Sequence, residues 1–137
     1  MQSSQPNPSD DSYAQEMKGK TGFKRILKAS QYSKDGFKAA YQNEAAFRQV
    51  VWINAILLIF ILFLPFSLAI KMILLVVSAL SIIVELFNTG LEAIVDRVSD
   101  EYHPLSKIAK DVGSAAQFVM LVLQFILWLM AMYSVFA

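Results

Sequence analysis

The run ELFNTGLEAIVDR, Glu85 to Arg97, sets Glu85, Asn88, Glu92 and Asp96 at helical spacing. A helix turns about 100° per residue, so these four and Thr89 share one face about 100° wide. The opposite face carries Leu86 and Ile94. Such a row of carboxylates suits a hard cation such as Mg²⁺, which usually accompanies polyphosphate. A second polar group follows: Lys107, Lys110, Asp111, Ser114 and Gln117. On a helix Lys107, Lys110 and Ser114 fall within about 60° of one another. Lysines suit phosphate oxygens, and Glu44 contributes a further carboxylate upstream. Phosphoryl transfer needs little beyond metal, positive charge and a base on the acceptor hydroxyl. A component of an ion-coupled transporter would account for an acidic stripe as well. The usual nucleotide signatures are missing: there is no GxxxxGK[ST], no HRD, no DFG, and the five glycines never form GxGxxG.

The elements that position these residues are apolar. Of 137 residues, 56% are hydrophobic and 17% charged, with a mean hydropathy of +0.49. The excess over a soluble domain is clustered, which points to a membrane protein. The net charge of +1 gives no basis for nucleic-acid binding. Without cysteine there is no disulfide framework, and His103 as the single histidine argues against a zinc site.

Three apolar segments are long enough to cross a bilayer of about 30 Å. Val50 to Leu64 carries no charge and is extended backward by Ala45, Ala46 and Phe47, giving a span over 45–64. Pro65 ends it, and PFSLAIK makes a short hairpin. The second span runs over 68–99, about 45 Å at 1.5 Å per residue, so its end projects into water. The third covers 107–135. Ahead of them, residues 22–43 alternate Phe23, Ile26 and Leu27 with Lys24, Arg25 and Lys28, and continue through Phe37, Ala40 and Tyr41. That pattern predicts an amphipathic helix on the membrane surface, bent near Gly36. Residues 1–20 are polar, and the expectation there is a disordered tail. Lys and Arg concentrate before the first span and between the second and third, so the N-terminus is expected to be cytoplasmic and the C-terminus outside.

Four blocks together resemble the prokaryotic diacylglycerol kinase family: TGFKRILKA (21–29), EAAFRQ (44–49), ELFNTGLEAIVDR (85–97) and EYHPLSKIAKDVGSAA (101–116). The likeness covers everything after the tail, residues 21–137 as one integral-membrane kinase domain. It implies an all-α membrane protein with a surface helix and three spans, assembled as a homotrimer in the bacterial inner membrane. It implies ATP-dependent phosphorylation of diacylglycerol to phosphatidic acid with Mg²⁺. A related branch phosphorylates undecaprenol, which stands as the alternative acceptor. The central motif reads NTGLE where the family pattern is N-S-A-I-E, and Pro104 replaces an acidic residue often found after the loop histidine.

The resemblance also assigns roles. Glu85 is implied as the general base, with Glu44 and Glu92 as ligands of the Mg²⁺ that accompanies ATP. Asn88 supports that centre. Lys110 and Asp111 are implied nucleotide contacts, joined by Tyr102 and His103 from the loop and by Arg25 and Tyr32 from the surface helix. Arg25, Arg48, Glu85 and Ser114 fall where the family approaches its lipid.

Overall fold

The computed structural model describes residues 22–98 and 101–136. The tail expected over 1–20 lies outside them. Four α-helices and no strand occur among the described residues: α1 Gly22–Asn43, α2 Ala45–Phe63, α3 Leu68–Val98 and α4 Pro104–Phe136. Three of these, α2, α3 and α4, are long and apolar enough to cross a membrane.

The chain divides into two compact units, with the boundary after Ala39. The described part of the first is most of α1. Its helix continues through Gly36. Ile26, Leu27 and Phe37 are exposed on it, as a helix that rests its apolar face on a bilayer requires. Gln31 Nε2 donates to Asp35 Oδ1 at 3.0 Å one turn on.

The second unit begins at Ala40 and holds the three spans. Glu44 separates α1 from α2 because its backbone is extended, with φ −111° and ψ 116°. Its N–H closes α1 on the Ala40 carbonyl at 2.9 Å. Its side chain makes no capping bond, which leaves the carboxylate for other work. The last carbonyls of a helix have no partner of their own. Here Arg48 Nη1 donates to Tyr41 O at 2.9 Å and Gln42 O at 3.2 Å. Trp52 Nε1 donates to Tyr41 Oη at 3.1 Å, so its ring is tied to the end of α1 as well as facing outward.

Pro65 follows the end of α2 as expected, and Lys71 Nζ reaches back to Leu62 O at 3.3 Å. Ser67 starts α3 by accepting Ile70 N–H on Oγ at 3.4 Å. The first and second expected spans, over 45–64 and 68–99, correspond to α2 and α3. The last one begins earlier than the 107 expected, at Pro104. The cause is local: His103 Nδ1 accepts Leu105 N–H at 3.2 Å, and proline suits the first helical position because it has no N–H to satisfy.

α3 packs against both α2 and α4. One end of the bundle holds a small apolar core of Ile61, Phe66, Leu74 and Ala131, with Trp128 packed on it. Phe60 and Phe66 meet the Trp128 ring edge-on at 6.5 and 5.9 Å. Most other large apolar side chains face outward, among them Phe63, Phe118 and Phe125. Nearly half of the buried residues among those described are polar: Asn54, Ser78, Ser81, Glu85, Asn88, Gln117 and Gln124. A soluble domain would invert this arrangement. In lipid it is the expected one, because polar groups must find partners inside the protein.

Candidate acidic site and adjoining cavity

The stripe on α3 faces its helical neighbours as the wheel requires. Ser78 and Ser81 extend it inward from Glu85, and both are buried. Glu85 is 3% exposed and Asn88 8%. Glu92 and Thr89 are half-buried, and Asp96 is exposed. The burial therefore fades along the helix, from a dry level at Ser81 to water at Asp96.

Asn88 is the hub of the acidic group. Its Nδ2 donates to Glu92 Oε1 at 3.1 Å, and its side chain lies beside the Glu85 carboxylate. Glu44 and Glu92 both lie within electrostatic reach of Glu85. One residue at the start of α2 and three on α3 thus converge. Asn88 Oδ1 and Thr89 Oγ1 are buried without a hydrogen-bond partner. Asn88 Oδ1 lies against the Cα of Gly113 on α4, so close that any side chain at position 113 would collide with it. Leu91 Cδ2, 3.2 Å from where a Cβ would stand, closes the other side.

The basic component comes from α4. Lys110 Nζ pairs with Asp96 Oδ1 at 2.6 Å across the two helices. It also lies within the field of Glu92 and Glu44. Lys107 pairs with Asp111 one turn away on its own helix. Both pairs are solvent-exposed, where water and salt screen the attraction, so neither locks its lysine in place. A cavity of about 560 Å³ opens here, lined by Val95, Asp96, Glu101, Tyr102, His103, Ser106, Lys107, Lys110 and Asp111. It is the largest of the cavities described, and the ends of α3 and α4 form its walls.

The sequence candidates separate into three groups. Glu44, Glu85, Asn88, Glu92 and Lys110 come together around Asn88 and Asp96. Tyr102, His103, Lys110 and Asp111 surround the cavity, and His103 also caps α4. Arg48 is turned toward the carbonyls of α1, and Ser114 is exposed on α4 outside the cavity lining. Arg25 and Tyr32 belong to the first unit, where seven residues of separation put them within about 20° on one face of α1. Ser106 and Gly113 were not singled out by residue type. Asp96 was placed in the acidic stripe by its helical spacing from Glu92, but its pairing with Lys110 is visible only across the two helices.

A divalent ion is compatible with this donor set: Glu44 and Glu92 are hard oxygen donors that could ligate one, and Asn88 Oδ1 is a buried acceptor with no partner. Among the described residues no three acidic or histidine side chains are close enough to hold an ion alone. That suits Mg²⁺, which commonly takes one or two protein carboxylates and completes its shell from water and phosphate.

The chain is similar to known proteins over most of its length. The family model "Prokaryotic diacylglycerol kinase" matches residues 31–132. A protein of Pseudomonas aeruginosa called diacylglycerol kinase is 52% identical over 111 residues, covering 81% of this chain and 90% of its own. One of the same name from Escherichia coli K12 is 40% identical over 116 residues, covering 85% and 95%. A third, from Helicobacter pylori 26695, is 41% identical over 115 residues, covering 82% and 90%.

Proposed function

This chain belongs to the prokaryotic diacylglycerol kinase family, and we propose that it moves the γ-phosphoryl group of ATP to the hydroxyl of diacylglycerol at the membrane–water boundary. The observation that carries this reading is the position of Glu85. It is a buried carboxylate at the end of an apolar run, and Asn88, Glu92 and Asp96 continue its face of α3 toward the lysine-lined cavity, whose wall includes Asp96.

Glu85 acts as general base. Its carboxylate takes the proton from the lipid hydroxyl, the oxygen forms a bond to the γ-phosphorus, and the bond from that phosphorus to the β,γ-bridging oxygen breaks. ADP leaves and phosphatidic acid remains in the bilayer. Glu44 and Glu92 would hold Mg²⁺, which when bound would supply neutralisation of the charge that develops on the phosphates. Asn88 fixes the two glutamates at their working separation. Lys110 exchanges its exposed partner Asp96 for phosphate oxygens, and Asp111 holds Lys107 beside it. Tyr102 and His103 border the cavity on the nucleotide side, with Arg25 and Tyr32 on α1 as further nucleotide contacts. Arg48 and Ser114 lie on the approach of the lipid.

The enzyme is a transferase of the bacterial inner membrane. The distribution of Lys and Arg supports a cytoplasmic N-terminus and an external C-terminus. The apolar outer faces of α2 and α4 suit both lipid and neighbouring copies in a homotrimer.

Purified protein in detergent micelles, given MgATP and short-chain diacylglycerol, should form phosphatidic acid. Glu85→Gln should assemble normally and turn over at least about 10²-fold more slowly, the usual scale for a catalytic base. Retained turnover in that variant removes Glu85 from the role. Preference for undecaprenol in the same assay replaces the acceptor.

A further inference from the structure

Below the acidic group the three spans meet at a polar joint about halfway along α2. Gln124 Nε2 on α4 donates to Asn54 Oδ1 on α2 at 2.8 Å and to Ser78 Oγ on α3 at 3.4 Å. Closer to Glu85, Gln117 Nε2 donates to Ser81 Oγ at 3.3 Å. Gln124 is 3% exposed and Asn54 5%.

The orientation of Gln124 follows from its neighbours. Asn54 Nδ2 is committed to Val50 O at 2.9 Å, so Asn54 presents its oxygen to α4. Gln124 must answer with its NH₂. Its Oε1 is then an acceptor, and it is buried with no partner. One turn further along the same helix, Trp128 Nε1 is a buried donor with no partner. Both residues line one cavity of about 300 Å³ between α2 and α4. The other walls, Ile53, Leu57, Leu121 and Phe125, are apolar.

An amide oxygen and an indole N–H left bare in hydrocarbon are each costly. A single hydroxyl oxygen satisfies both, since it donates to one and accepts from the other. The cavity is far larger than a water needs, and two polar partners meet the lower bound for an ordered one. We propose that Gln124 Oε1 and Trp128 Nε1 hold a water molecule inside the bundle. That water completes the joint that pins α2, α3 and α4 in register. Ser78 precedes Glu85 by seven residues, so the joint lies about 10 Å beneath the proposed base. The proposal is independent of the role given to Glu85.

The test is water-selective proton NMR of the full chain in bilayer nanodiscs of perdeuterated lipid. Trp52→Phe, outside the proposed site, leaves one indole N–H to read. The expected result is a water cross-peak at Trp128 Nε1–H and at the Gln124 side-chain amide. It should vanish from the indole in Gln124→Leu and from the amide in Trp128→Phe, which keeps an aromatic ring in place. Should Gln124→Leu not assemble, the Trp128→Phe arm reads the same site. No water cross-peak in protein that retains turnover overturns the proposal, as does a peak that persists unchanged in either variant. A peak that appears only when a hydroxyl-bearing lipid is included in the nanodisc overturns it in favour of a lipid hydroxyl.

Discussion

Adding one carbon at Gly113 should uncouple the acidic group without touching any acidic residue. A Cβ there collides with Asn88 Oδ1 and comes within 3.3 Å of Asn88 Cγ and 3.2 Å of Leu91 Cδ2. Two relaxations exist. If Asn88 rotates away, it gives up its bond to Glu92, and a hydrogen bond to a charged group is worth about 1.5–3 kcal/mol. If α4 moves back, overpacking costs about 1–3 kcal/mol. Alanine in place of glycine returns about 1 kcal/mol of helix propensity. The net stability loss is therefore modest, on the order of 1–2 kcal/mol. Catalysis is the more sensitive quantity, because a displacement of about 1 Å near the reacting groups can cost about 10²-fold. Gly113→Ala should fold, retain most of its thermal stability and lose about 10- to 100-fold in turnover. Because Asn88 is bonded to Glu92, its Mg²⁺ titration should also shift to higher concentration. Wild-type turnover with an unchanged Mg²⁺ titration would refute the reasoning that Gly113 sets the position of Asn88.

Gly90 provides the contrasting case. Nothing lies within 4 Å of a Cβ built there, so Gly90→Ala should gain up to about 1 kcal/mol in unfolding stability with turnover unchanged, as read by thermal melts and the kinase assay. Glu92→Gln keeps the shape of the side chain and removes a charge, so it should lower the rate and weaken Mg²⁺ dependence together. An unchanged Mg²⁺ titration would count against Glu92 as a ligand. Arg48→Met removes the donor that covers the Tyr41 and Gln42 carbonyls and should cost about 1–3 kcal/mol. Earlier proteolysis around residues 41–44 would report it.

The long-range plan of the molecule was legible because lipid imposes simple requirements. Uninterrupted apolar length marked the spans, Pro65 marked the break, and the 100° step put Glu85, Asn88 and Glu92 on one inner face. α4 starts at Pro104, three residues before the 107 expected, because the His103–Pro104 pair carries the capping chemistry that opens the helix. Gln124 on α4 is the partner of Asn54 on α2. Gln124 itself was hidden, since an uncharged amide among apolar residues leaves the segment looking like any other span. Ser78 and Ser81 were hidden for a similar reason. A serine within a helix can bond its own backbone, so only the neighbouring helix reveals whether it looks inward. Gly113 could not be read at all, because its meaning lies in how closely α3 passes.

The lengths of α3 and α4 resolve a solubility problem. At 31 and 33 residues they are about 46 and 50 Å long, against about 30 Å of hydrocarbon. One reactant of the proposed transfer dissolves only in oil and the other only in water, and neither can cross to meet its partner. The excess turns carry the lysine cavity into the aqueous phase while Glu85 remains at the oil surface, eleven residues or about 16 Å further down α3 from Asp96. That interval is comparable to an extended nucleotide triphosphate. The helix acts as a ruler: the base of the nucleotide can stay hydrated, its last phosphorus can touch the interface, and the lipid has only to raise a hydroxyl.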